Sequence, residues 1–147
     1  MRKLDINKSV EQIEEVFWDE HTEYPTALIK RCFQLRKKKI KDLTVSELRT
    51  LIGQNIGLEV LHPVAIELIK KNVLVEGDYY PGDLLQSLLD INCDFWQSNK
   101  DSWRILKNII DQKIETINRS LVITDEIKES ILRSFDNFRN CIKIRND

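Results

Sequence analysis

Between Leu43 and Leu89 the chain carries all four of its glycines, two of its three prolines and three helix-start signals. Punctuation that dense permits short helices joined by tight turns and little else. Thr44, with Glu47 three residues on, reads as a capping box in which each side chain satisfies a free backbone N–H. Leu48, Leu51 and Ile52 then recur at helical spacing until Gly53 and Gly57 end or kink the helix. Pro63 either opens a fresh helix or kinks a continuing one, with Ala65, Ile66, Leu68 and Ile69 behind it. Pro81 is placed to open another, carrying Leu84, Leu85, Leu88 and Leu89. Val73-Leu74-Val75 looks extended but is too short to build a sheet.

The same grammar continues outward. Ser9 and Gln12 form a second capping box, followed by Val10, Ile13, Val16 and Phe17 as an apolar stripe. Pro25 is suited to the first turn of a helix that puts Leu28, Ile29, Cys32, Phe33 and Leu35 towards the core. Its basic end, Arg36-Lys37-Lys38-Lys39, reads as a solvated cationic terminus that complements the helix dipole. Ser98 with Asp101 marks a restart, and Thr124 caps a last helix bearing Ile127, Ile131, Leu132, Phe135 and Phe138. The expected fold is all-α, one compact single-domain bundle over residues 1–147 with about six to eight helices.

Composition excludes several classes. No apolar run approaches the roughly 20 residues that span a bilayer, and the basic N-terminus lacks an apolar h-region, so a cytoplasmic protein is expected. Cys32, Cys93 and Cys141 are far apart without CxxC spacing, which favours reduced, buried thiols. A net charge of −1 hides segregation. Residues 1–25 hold three basic and seven acidic side chains, whereas 26–43 hold seven basic and one acidic. A nucleic-acid-binding module would have to rely on Arg31, Arg36, Lys37, Lys38, Lys39 and Lys41, without the net basic charge such domains usually carry.

No cofactor or metal motif is present. His21 and His62 stand outside any metal-ligand spacing, His21 reading as a surface residue and His62 as a helix-start or core residue. Asp78 and Asp83 flank a turn and could meet across it, which is what a carboxylate-dependent hydrolase would need. A dipole-stabilising place for Asp83 at a helix start is sufficient without chemistry. Tyr79 and Tyr80 fit either a core staple or an interface, and the loop from Trp18 to Tyr24 sets two aromatics among acids.

Four segments in order resemble a known family: Tyr24-Pro25-Thr26 before a basic helix, the run from Leu48 to Leu58, Leu61-His62-Pro63-Val64-Ala65, and the run from Glu76 to Leu85. Together they are similar to bacterial contact-dependent growth inhibition (CDI) immunity proteins, over roughly residues 24–96. The resemblance implies a protein without enzymatic activity that binds and neutralises the C-terminal toxin domain of a CdiA-type surface effector. Such toxins are often nucleases. No membrane or direct nucleic-acid partner is implied.

A nuclease presents basic residues to phosphates, so an acidic, aromatic-bearing surface can compete for the same site. The expected toxin-binding residues are therefore Glu14, Glu15, Trp18, Asp19, Glu20 and Glu23, with a second group at Glu76, Asp78, Tyr79 and Asp83. Segments outside the family-like region, the acidic N-terminal one included, are where partner specificity is expected.

Overall fold

The computed structural model describes residues 3–20 and 23–143. Among these residues the chain forms eight α-helices and a short 3-10 turn at Ile40–Asp42, with no strand. The helices are α1 (Val10–Glu14), α2 (Ala27–Leu35), α3 (Val45–Gly53), α4 (Leu58–Lys71), α5 (Asp83–Leu89), α6 (Cys93–Ser98), α7 (Lys100–Asn118) and α8 (Asp125–Arg139). The all-α expectation holds, and His21 lies outside the described residues.

The short helix α5 is the hub, packing on α3, α4 and α8. Its Leu84, Leu85, Leu88 and Leu89 are buried, and so are Asp83 and Gln86. A helix apolar around most of its circumference belongs inside the core. Gly82 permits this packing. Its φ of 94° lies in the left-handed region, and a Cβ there would stand 2.9 Å from Ile131 Cδ1 on α8. Gly57 does the same service where α1 meets α4, with φ 67° and Val10 Cγ1 2.9 Å from a would-be Cβ.

Local capping works as the spacing predicts. Both capping boxes form, at Ser9/Gln12 and Thr44/Glu47, and Thr124 caps α8. Thr26 caps α2, so Pro25 lies just before the helix instead of in its first turn, and α4 runs through Pro63 unbroken. The restart after α6 comes at Asn99, which caps α7.

Several apolar residues stand where periodicity does not put them. α1 stops at Glu14 because Glu15 turns left-handed, with φ 57°, and the chain leaves the helix axis. Val16 and Phe17 therefore face solvent instead of completing the stripe. Leu28 and Ile29 are also exposed, since α2 meets the core only through Cys32, Phe33 and Leu35. Arg36 is the reverse case: expected at a solvated end, it is 2% exposed.

Two cysteines depart from the reduced-thiol reading. Cys93 and Cys141 are joined in a disulfide that ties the start of α6 to the turn after α8. They are 48 residues apart, a proximity created by tertiary packing and invisible to local spacing. Cys32 alone is free, and burial raises the pKa of its thiol. Beside the disulfide lies an aromatic core in which Trp96 meets Phe138 edge-on and Trp103 Nε1 donates to the Phe138 carbonyl at 2.9 Å.

Candidate functional site

The segment after α1 is held first by a buried cation, Arg36. Arg36 Nη2 donates to Glu14 Oε1 at 3.0 Å and to the Val16 carbonyl at 2.8 Å. Its guanidinium also lies 4.3 Å from the ring centre of Trp18. Next to it, Lys37 Nζ donates to Glu20 Oε1 at 3.0 Å and sits 4.7 Å over the Phe33 ring. The Glu20 hydrogen bond raises the pKa of Lys37. Two cations at the end of α2 thus fix the course of the acidic segment by pairing with Glu14 and Glu20. Glu15, Asp19 and Glu23 are exposed and form no ion pair with the described residues.

Around these acids the surface is apolar. Phe17 is 63% exposed, Trp18 38%, Leu28 41% and Ile29 44%. Of the ten large exposed hydrophobic residues among the described residues, five fall between Val16 and Ile29. Phe17, Trp18, Asp19, Tyr24, Pro25, Ile29 and Phe33 line an open hollow of about 490 Å³. Contiguous apolar exposure rimmed by charge marks an interaction surface.

The second group is organised differently. Asp83 is 3% exposed and accepts three backbone N–H bonds, from Gly77 (2.6 Å), Asp78 (2.8 Å) and Tyr79 (2.9 Å). A carboxylate so engaged at the first turn of α5 folds the turn over its own helix start. It is an internal organiser and presents no carboxylate to a partner. Asp78 is exposed, accepts from Ser46 Oγ and from Arg49 Nε (3.0 Å), and these bonds lower its pKa. These bonds hold Asp78 in its ionised form. Tyr79 is 72% exposed, with the Arg49 guanidinium 4.6 Å from its ring centre, while Tyr80 is half-buried. Glu76 is exposed at the start of the turn.

The two groups adjoin through α2. Leu28 and Arg31 line a shallow depression with Arg49, Asp78 and Tyr79, while the neighbouring Ile29 lines the hollow beside Trp18. Sequence reasoning singled out Trp18 and the acids but missed Phe17, Leu28 and Ile29 as surface residues. Their helical spacing pointed inward, and the only local warning was the polar run after Phe17. The basic run is largely engaged within the molecule: Arg36, Lys37 and Lys38 pair with Glu14, Glu20 and Glu47. Burial pushes the Glu47 carboxyl up, but hydrogen bonds from Lys38 and Thr44 outweigh it and lower its pKa.

No helix among the described residues is long and apolar enough to cross a membrane. A comparison with curated proteins finds no match. The family model for CDI immunity proteins matches residues 12–106, which covers α2 to α6, the 76–83 turn and also the acidic segment from Glu14 to Glu23. The match extends further towards the N-terminus than the quoted motifs, so that acidic segment lies inside the family region. With most of its length matched, this chain belongs to the family of CDI immunity proteins.

Proposed function

We propose that the chain acts in the cytoplasm as a non-enzymatic inhibitor of its cognate effector's C-terminal toxin domain, and that this toxin is a nuclease whose active site it occludes. The observation that carries this reading is that Asp19, which shares a hollow with exposed Trp18, and Glu15 and Glu23 on the same segment form no ion pair with the described residues. A nuclease active site concentrates cationic and donor groups for phosphate binding, and exposed carboxylates on a segment that carries an aromatic anchor complement it. Glu14 and Glu20 support the segment through Arg36 and Lys37. Asp78 and Tyr79 extend the face beyond Leu28, Glu76 is exposed on the same turn, and Asp83 shapes that turn from within.

The test uses the toxin domain encoded by the effector gene beside that of this chain. The purified chain should bind that domain, abolish its cleavage of RNA or DNA, and be displaced competitively by nucleic acid. Binding without competition would place inhibition outside the active site. Failure to bind at all would refute the assignment of partner.

A further inference from the structure

Resting on the toxin-binding reading, we infer that the hollow beside Trp18 is a socket for one apolar side chain that projects from the basic face of the toxin domain. Phe17, Ile29 and Pro25 supply walls with nothing polar to satisfy, and the Phe33 and Tyr24 rings, 5.4 Å apart, form part of the same enclosure. The Asp19 carboxylate in the lining repels a phosphate, and Phe17, Pro25, Ile29 and Phe33 reward exclusion of water from another apolar group.

Charge selects which protein surface brings that group. Asp19 lines the hollow, and Glu23, next in sequence to the lining residue Tyr24, forms no ion pair with the described residues. The nearby cations Arg36 and Lys37 are each held by a carboxylate and an aromatic ring. An incoming surface therefore meets carboxylates, Asp19 foremost, beside an apolar centre. The complementary partner has an apolar side chain flanked by lysines or arginines, as beside a phosphate-binding cleft. A second copy of this chain would set acidic rim against acidic rim, which like-charge repulsion opposes.

The two parts of the face then have separable kinetic roles. The carboxylate rim governs the rate of encounter, and the socket governs how long the complex lasts. Ile29→Gln and Phe17→Gln change no charge and replace exposed residues, so each should unfold within about 1 kcal/mol of the wild type, which urea denaturation checks. With the purified adjacent-gene toxin domain, each should speed dissociation about tenfold while association changes by less than about twofold. Leu121→Gln, a similarly exposed apolar residue between α7 and α8, should change neither rate. Because Trp96 and Trp103 are buried, acrylamide quenching of the free chain reports chiefly on Trp18. The part of the signal lost in Trp18→Phe should become shielded in the complex.

If Ile29→Gln and Phe17→Gln leave dissociation unchanged while charge reversal of the rim slows association, the socket is empty in the complex and the inference fails alone. If the wild-type chain does not bind the domain, the partner assignment fails and takes the socket with it.

Discussion

Arg36 and Trp18 lie 18 positions apart in the chain, yet the guanidinium of one stacks 4.3 Å from the ring centre of the other. Arg36 is buried while Trp18 remains partly open, so the arginine holds the aromatic from below and leaves a face for a partner. The same guanidinium binds Glu14 and the Val16 carbonyl, which fixes both ends of the turn out of α1.

Arg36→Ala should therefore destabilise the fold by about 2 kcal/mol, because a carboxylate and a backbone carbonyl lose a charge-assisted partner. Toxin affinity should fall with it as Trp18 loses its support. Urea unfolding and acrylamide quenching of Trp18 check the two parts separately. Arg36→Lys should recover less than half of either, since an ammonium cannot reproduce the planar stack and the forked donors.

Asp83→Ala removes the acceptor for three N–H groups of the 76–83 turn. The expected loss is about 3 kcal/mol, as partly buried donors go unpaired at the start of the hub helix. Gly82→Ala acts at the neighbouring position through strain, by a positive φ and a clash with Ile131 Cδ1, and should cost on the order of 2 kcal/mol. Chemical denaturation of each variant gives the measurement.

The Cys93–Cys141 bridge closes a separation of 48 residues. Chain-entropy reasoning gives about 4 kcal/mol for a loop of that length, with measured bridges often delivering less. Cys141→Ser, or reduction of the wild type, should lower unfolding free energy by about 2–4 kcal/mol without changing toxin association, because the bridge joins α6 to the C-terminal turn and not to the α2 face. Parallel denaturation with and without reductant tests this.

His62 is buried in α4, where burial lowers its pKa below the usual value of 6.5 despite a hydrogen bond to the Leu58 carbonyl. With Nδ1 donating there at 2.8 Å, neutral Nε2 accepts from Ser102 Oγ at 2.9 Å. The unfolded chain binds the proton more readily, so this contribution to stability is complete above pH 6.5 and lost as pH falls through the depressed folded value. Unfolding free energies at pH 7.5 and 5.5 should differ less in His62→Gln than in the wild type.

How far the sequence carried the fold depends on the range of each interaction. Ser9, Thr44 and Thr124 were legible as caps because a cap is decided within three residues. The leucines of α5 were legible by periodicity. Val16 and Phe17 misled, since their spacing continues the stripe of α1 while a left-handed Glu15 ends the helix beneath them. Arg36 misled because its partners Glu14 and Trp18 come from a separate segment, and the disulfide was hidden for the same reason. At the site, the acids were legible as composition, but Asp83 could be told from its exposed neighbours only once the turn had closed around it.

The most direct test measures association of the adjacent-gene toxin domain with the wild-type chain and with Glu15→Lys/Asp19→Lys/Glu23→Lys, at low and high salt. The triple variant should associate at least about tenfold more slowly at low salt, should lose most of the salt dependence, and should no longer inhibit cleavage. Equal association rates and intact inhibition would show that the toxin binds elsewhere on the molecule.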